Sequence, residues 1–175
     1  MLFCLSKQTN NEQFTWINGD GFAFGYQLDE TYWMHYSKRD GEQFQFFSQE
    51  PIGRKESGEL YRPFILNDFK ALIEKAENNF AGLQFVKTEN GFEFYSNSAR
   101  ITRARMYFTF HENAIYFSHD LRALLAYSTK KVKPSAAYSI LKYGDVSEYL
   151  TIVEDIFSIP VGRFLKLNKS SFEKA

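Results

Sequence analysis

The side chains best suited to nucleophilic catalysis or metal binding are one cysteine, Cys4, and three histidines, His35, His111 and His119. Zinc sites normally contain closely spaced ligand pairs. His111 and His119, in contrast, are predicted at opposite ends of one β-hairpin, because a strand advances about 3.3 Å per residue. We therefore expect no metal site. Free cysteine usually packs as a small hydrophobe, so Cys4 is predicted to lie within a strand.

Two segments could bind phosphate groups, and neither has the expected pattern. The glycines of residues 19–25 resemble a dinucleotide-binding loop, but the spacing is one residue too long and strand alternation follows. No helix N-terminus is then available to receive a phosphate. Lys130, Lys131 and Lys133 form a short basic run that is predicted to be a solvated loop. The sequence contains no Walker loop and no nucleophile elbow, and nothing in it shows two carboxylates that converge.

The charges of the chain balance, with 21 Lys and Arg residues against 21 Asp and Glu residues among 175. This balance gives no basic field to concentrate nucleic acid, so we expect none as a partner. One cysteine excludes an intrachain disulfide and favours a reducing compartment. No apolar run approaches the roughly 20 residues that span a bilayer. The expectation is a soluble cytoplasmic protein without a membrane partner.

Alternating apolar and polar residues predict a meander of strands in the first half, at 22–28, 32–36 and 43–47. Residues 38–41 have turn chemistry. The segment 51–63, which contains two glycines among charged residues, is predicted to be a long loop.

Helices and hairpins are predicted in the rest of the chain. One helix covers 67–78, capped by Asn67, with an apolar stripe. A second begins at Pro134, ends before Gly144 and buries Ala137, Ile140 and Leu141. Further predicted elements are a hairpin of 80–86 with 92–95 around Asn90-Gly91, a hairpin of 106–110 with 114–117, a short helical stripe of Leu121, Leu124 and Leu125, a tight turn at 159–162 and a strand at 164–167.

These elements predict a single α+β domain over residues 1–175, with two stacked antiparallel sheets flanked by helices. The helices at 67–78 and 134–143 should cover the outer faces of the sheets. Six phenylalanines that alternate with polar or small residues should fill the interior: Phe22, Phe24, Phe44, Phe80, Phe94 and Phe108.

Five segments, in the right order along the chain, resemble a known family. They are residues 80–81 (FA), 107–108 (YF), 117–125 (FSHDLRALL), 134–144 (PSAAYSILKYG) and 151–162 (TIVEDIFSIPVG). Together they resemble the class II glutamine amidotransferase domain of asparagine synthetases, over roughly residues 79–167. The resemblance implies the αββα architecture of N-terminal-nucleophile hydrolases, in a somewhat reduced form.

The family's catalytic residues are not matched. Its nucleophile is a cysteine at the first position of the chain, whose α-amine is the general base for its own thiol. In this sequence Met1, Leu2 and Phe3 precede Cys4, and the bulky Leu2 disfavours removal of the initiator methionine. Residues 98–105 correspond to the family's Arg-Asp-Arg-x-Gly-x-x-Pro and keep only Arg100. The family's other substrate-holding motifs are missing from the first half.

The resemblance therefore implies a degenerate domain without catalytic, cofactor-binding or metal-binding residues. It would form the amino-terminal part of an asparagine synthetase-type, amide-forming ligase. ATP and Mg²⁺ would bind only in a separate ligase domain. That domain, on the same or another chain, would be the partner. The docking segment would run from Asp145 to Gly162, because it is more apolar than a connection needs.

Two other functions remain open. The chain could be an active cysteine amidohydrolase after processing to Cys4. Alternatively, it could be a non-catalytic binding module, which an exposed apolar patch would indicate.

Overall fold

A computed structural model of the chain describes residues 1–9, 12–28, 36–40, 42–48, 53–54, 60–61, 80–98, 105–146 and 149–174. The fold divides into two compact units. One consists of Met1–Glu30 with Arg105–Pro160, and the other of Thr31–Ala104 with Val161–Ala175. The largest element of each unit is an antiparallel sheet, so the predicted α+β class with two antiparallel sheets is confirmed. The organisation of residues 1–175 as one domain stays a prediction.

The described residues contain thirteen strands and a few short helices. The strands are β1 Leu2–Ser6, β2 Thr15–Gly19, β3 Phe22–Gln27, β4 Tyr36–Asp40, β5 Gln43–Phe47, β6 Gly53–Arg54, β7 Leu60–Tyr61, β8 Gly82–Thr88, β9 Gly91–Asn97, β10 Tyr107–His111, β11 Ala114–Ser118, β12 Ile156–Ser158 and β13 Phe164–Asn168. The helices are α1 Leu121–Leu124, a 3₁₀ turn Leu125–Tyr127, α2 Pro134–Tyr143 and α3 Lys169–Glu173.

The first unit contains a six-stranded sheet in the order β12-β10-β11-β1-β3-β2. All five residues of β1 are buried, as expected for an apolar strand with neighbours on both sides. β2 and β3 form a hairpin around Asp20 and Gly21, and Gly21 adopts a φ of 71° that favours glycine. The glycines of residues 19–25 therefore belong to a hairpin, as the strand alternation predicted.

Helix α2 begins and ends where the sequence predicts. Pro134 occupies its first turn, and Gly144 ends it in the left-handed conformation, with its N–H bonded to the Ile140 carbonyl. The predicted buried stripe is wrong, because only Ala136 is buried on this helix. Ile140 and Leu141 are exposed, so α2 does not cover a sheet through that stripe. Helical periodicity identifies an apolar face without identifying what covers it.

The second unit contains a five-stranded sheet in the order β13-β9-β8-β5-β4 and a two-stranded ladder of β6 and β7. The β8–β9 hairpin is confirmed, although its turn residues are Glu89 and Asn90. Neither has a positive φ, and Gly91 adopts that conformation instead, at 136°. The capping box of Asn168 and Ser171 starts α3, and Phe172 packs its ring edge-on against Phe92.

Three predictions for the first half need correction. β3 pairs with β1 and β2, so it does not continue as a meander into β4 and β5. Residues 38–40 belong to β4, an edge strand, where charged side chains are common. The predicted loop 51–63 includes the β6–β7 ladder. The predicted helix 67–78 and residues 32–35 of the predicted strand 32–36 lie outside the described residues.

Five of the six predicted interior phenylalanines are buried: Phe22, Phe24, Phe44, Phe80 and Phe94. The sixth, Phe108, is only half-buried. It stacks on Phe157 of the three-residue edge strand β12, with ring centroids 5.5 Å apart. A short edge strand gives it less cover than a longer neighbour would.

Candidate functional site

Cys4 lies in the middle of β1, between two neighbouring strands. Tyr116 of β11 is its partner on one side, and Gly25 of β3 is its partner on the other. Directly paired residues of antiparallel strands point to the same face of the sheet. Trp16 pairs with Gly25 in turn, so these residues form one row across the sheet. Cys4 is 1% exposed, which confirms its prediction as a buried strand residue.

The ring of Trp16 lies over Gly25 and thereby extends the aromatic surface beside Cys4. A Cβ atom at Gly25 would come within 2.7 Å of the Trp16 ring, so the missing side chain makes room for the indole. The Phe14 ring is 5.4 Å from Trp16 and 6.5 Å from Tyr116, tilted by 40° and 58° respectively. These three rings surround the Cys4 side of the sheet in different orientations.

Tyr116 connects this aromatic group to the 3₁₀ turn and to the end of β10. Its ring stacks on Tyr127, with centroids 3.8 Å apart and planes 17° from parallel. His111 approaches both tyrosines, at 6.4 Å and 6.0 Å. The side chains of Tyr116 and Cys4 are hydrogen bonded to each other. Cys4 thus touches a tyrosine and sits within an apolar cluster.

Burial determines the acid–base chemistry of this cluster. It raises the pKa of the Cys4 thiol to about 12, and the hydrogen bond with Tyr116 offsets only part of the rise. Burial also raises the pKa of Tyr116, and the neighbouring Cys4, Tyr127 and Glu112 side chains raise it further. At neutral pH the thiol is therefore protonated, whereas a nucleophilic cysteine must be a thiolate.

We expect Cys4 to resist alkylation in the folded chain. A pKa of about 12 lowers the thiolate fraction at pH 8 by roughly three orders of magnitude relative to an ordinary thiol. Burial also blocks the approach of the reagent. Iodoacetamide labelling followed by intact-mass measurement should be very slow in buffer and rapid in concentrated urea. Equally rapid labelling in both conditions would contradict the buried, protonated thiol.

The residues before Cys4 are part of the sheet. Phe3 pairs with Phe117 and Tyr26, and both Leu2 and Phe3 are buried. The buried Ser118 hydroxyl donates a hydrogen bond to the Met1 carbonyl, with an oxygen–oxygen distance of 2.7 Å. Met1, Leu2 and Phe3 therefore hold the first strand in place.

Two cavities open beside β1 in the first unit. The first, of about 190 Å³, adjoins Cys4 and the end of the β10–β11 hairpin. Its lining residues are Cys4, Ser6, Lys7, Gln8, Phe14, Trp16, Glu112, Asn113, Ala114 and Tyr116. The second, of about 470 Å³, adjoins the start of β1 and includes Met1, Leu2 and Tyr127 in its lining. Both are bounded by residues from several segments of the unit.

The other sequence candidates do not form a site in the described part of the chain. No group of three or more His, Cys, Asp or Glu side chains there could hold a metal ion. His111 ends β10, and His119 follows β11 at the opposite end of that hairpin, as predicted. His35 and Arg100 lie outside the described residues.

The basic run of Lys130, Lys131 and Lys133 forms a short connection next to residues 152–154. Its backbone bonds join Lys133 to Ile152 and Lys131 to Glu154, each at 2.9 Å. The side chains of Lys130 and Lys131 are exposed, which agrees with the predicted solvated segment.

Several large apolar side chains are exposed on and around α2. We call them the α2 surface: Val132, Tyr138, Leu141, Tyr143 and Ile152. Leu141 is 87% exposed and Tyr143 is 70% exposed. Helical spacing placed Leu141 in a buried stripe, so this surface was not predicted. The sequence does contain a feature that indicates this surface: apolar residues lie on a helix that is flanked by lysines.

The segment from Asp145 to Gly162 is partly buried and partly exposed. Val153, Ile156 and Ile159 are buried, whereas Tyr149 and Ile152 are exposed. Within it, the buried Thr151 hydroxyl lies 2.8 Å from the Ile156 carbonyl and fixes the bend before β12. The predicted docking segment therefore carries both buried and exposed apolar side chains, and the exposed ones are Tyr149, Ile152 and Val161.

In comparisons with known proteins, no family model matches this chain, and no curated sequence matches it either. No helix in the described residues is long and apolar enough to cross a membrane.

Proposed function

We propose that this chain is a degenerate glutamine amidotransferase-like domain of an asparagine synthetase-type, amide-forming ligase, and that it does not hydrolyse glutamine. The position of Cys4 carries the proposal. Its thiol is buried and protonated, and its nitrogen is an amide within a paired strand. The family's mechanism instead requires a thiol on the residue that bears the free α-amine.

The resemblance supplies the family assignment, and the observed elements are compatible with it. The segment 117–125 spans the end of β11 and α1, the segment 134–144 is α2 with its glycine cap, and the turn at 159–162 precedes β13. The proposal includes the finer architecture, in which the two antiparallel sheets stack face to face between helices as in N-terminal-nucleophile hydrolases.

The alternative of an amidohydrolase processed to Cys4 has less support. Processing would remove three buried residues, Met1, Leu2 and Phe3, together with the carbonyl that Ser118 binds. Burying each such side chain stabilises a protein by about 1.5–3 kcal/mol. The new terminal cysteine would therefore belong to a weakened strand.

The proposed partner is a ligase domain, on the same or another chain, that binds ATP and Mg²⁺ and forms the amide bond. Docking would use the α2 surface together with Tyr149. Exposed apolar side chains of this size are typical of interface centres. A backbone hydrogen bond from the Lys133 N–H to the Ile152 carbonyl connects the start of α2 to the predicted docking segment, Asp145 to Gly162.

A non-catalytic binding module is the second candidate function. The α2 surface favours it, because several large apolar side chains are exposed on and beside one helix, and exposed apolar surface can mark a protein interaction site. This candidate does not require an ATP-dependent partner. Binding by the α2 surface to a protein without ligase activity would distinguish it from the first proposal.

The purified chain is expected to release no glutamate or ammonia from glutamine above the buffer background. The reason is the protonated, buried thiol of Cys4. A coupled glutamate dehydrogenase assay measures this directly, with Cys4→Ala as the matched variant. The two proteins should give equal rates at the background level. Turnover that disappears in Cys4→Ala would overturn the proposal.

A further inference from the structure

The cavity beside Cys4 has the composition of a binding site for a small organic cation. We infer that it takes an alkylated ammonium group, held by the Phe14, Trp16 and Tyr116 rings and by the Glu112 carboxylate. This inference is independent of the amide-forming function, because it uses neither a nucleophilic thiol nor a ligase partner.

The aromatic walls supply the attraction. An aromatic ring carries negative charge on its face, and a cation near the faces of several rings is stabilised by each of them. Phe14 is tilted relative to both Trp16 and Tyr116, and all three rings line the cavity. Gly25 allows Trp16 to lie flat against the sheet, and Tyr127 fixes the position of Tyr116 by stacking.

Glu112 supplies the negative charge. It occupies the two-residue turn between β10 and β11, adopts a φ of 53° and lines the cavity with Asn113. Its carboxylate is close enough to contribute to the raised pKa of Tyr116. The Glu112 side chain is 77% exposed, and its carboxylate lies 3.9 Å from the His111 Nε2 atom.

Lys7 is the cationic side chain of the lining. It is exposed, and lysines commonly place their methylene groups along apolar surface. Two further lining residues, Cys4 and Ser6, are buried and carry no charge at neutral pH. A cavity of about 190 Å³ accommodates a ligand of several heavy atoms, the size of choline.

Choline and its neutral analogue dimethylbutanol, in which a tert-butyl group replaces trimethylammonium, test the inference. The two ligands have the same shape and differ in charge. The indole N–H resonance of Trp16, assigned with a Trp16→Phe variant, reports binding in proton–nitrogen NMR titrations. We expect choline to bind in the millimolar range, about 2- to 30-fold more tightly than the analogue, the range that cation–π contributions give.

Two variants test whether the Glu112 carboxylate supplies the negative charge that holds choline. Glu112→Gln, at an exposed turn, should weaken choline binding several-fold and leave the analogue unchanged. Lys7→Gln is the control and should leave choline binding equal or make it tighter. The inference is overturned if neither ligand shifts the Trp16 resonance, if both bind equally, if Glu112→Gln has no effect, or if Lys7→Gln abolishes binding.

Discussion

A chain trimmed to begin at Cys4 is expected to lose about 5–9 kcal/mol of unfolding free energy, at about 1.5–3 kcal/mol for each of the three buried side chains removed. Met1, Leu2 and Phe3 are all buried, and Phe3 pairs with strands on both sides. The stability of a whole domain is about 5–15 kcal/mol. Trimming should therefore leave the chain largely unfolded or marginally stable at room temperature.

Urea unfolding followed by circular dichroism measures this loss. A chain shortened by three residues at the other end is the control, because Glu173 and Lys174 are exposed there. It should unfold at nearly the urea concentration of the full chain. A trimmed chain that kept full stability and gained Cys4-dependent glutaminase activity would instead establish the processed amidohydrolase.

The second large effect concerns two phenylalanines of the β10–β11 hairpin. Phe117→Ala should cost about 3–5 kcal/mol, the range for truncating a buried phenylalanine. Its side chain is 0% exposed and lies 6.1 Å from the Phe108 ring. Phe110→Ala is the matched control, because Phe110 is 48% exposed, and it should cost about 1 kcal/mol or less.

Chemical unfolding of both variants, at equal protein concentration, gives the comparison. The prediction depends on the difference between the two sites, so it is insensitive to the general cost of removing an aromatic ring. Equal destabilisation by Phe117→Ala and Phe110→Ala would mean that the burial of β11 is described incorrectly.

Local signals in the sequence predicted local structure well. Pro134 and Gly144 marked the ends of α2, and the two-residue turns of the hairpins lay between the expected apolar runs. These local signals could not predict which distant segments pair as strands. Nothing in the alternation of residues 22–28 shows that β3 pairs with β1, because period-2 patterns identify a strand and not its neighbour.

The same limit applied to the candidate site. The burial of Cys4 followed from its residue type and apolar neighbours. The aromatic group around it did not, because Phe14, Tyr116 and Tyr127 come from separate segments that only the sheet register and the 3₁₀ turn bring together. The exposure of Leu141 also depends on what packs against α2, and helical spacing cannot show that.

The hydrogen bond between Ser118 and Met1 joins residues 117 positions apart, and β1 cannot enter its place in the sheet until β11 exists. On a ribosome that adds about 5–20 residues per second, β1 would wait roughly 6–23 s for its partner. During that interval β1 could pair only with β3 and would leave its other edge open. Such distant pairing slows folding. Chaperone dependence during synthesis, and misassembly at high expression rates, are the expected costs of pairing β1 with a strand that is made so much later.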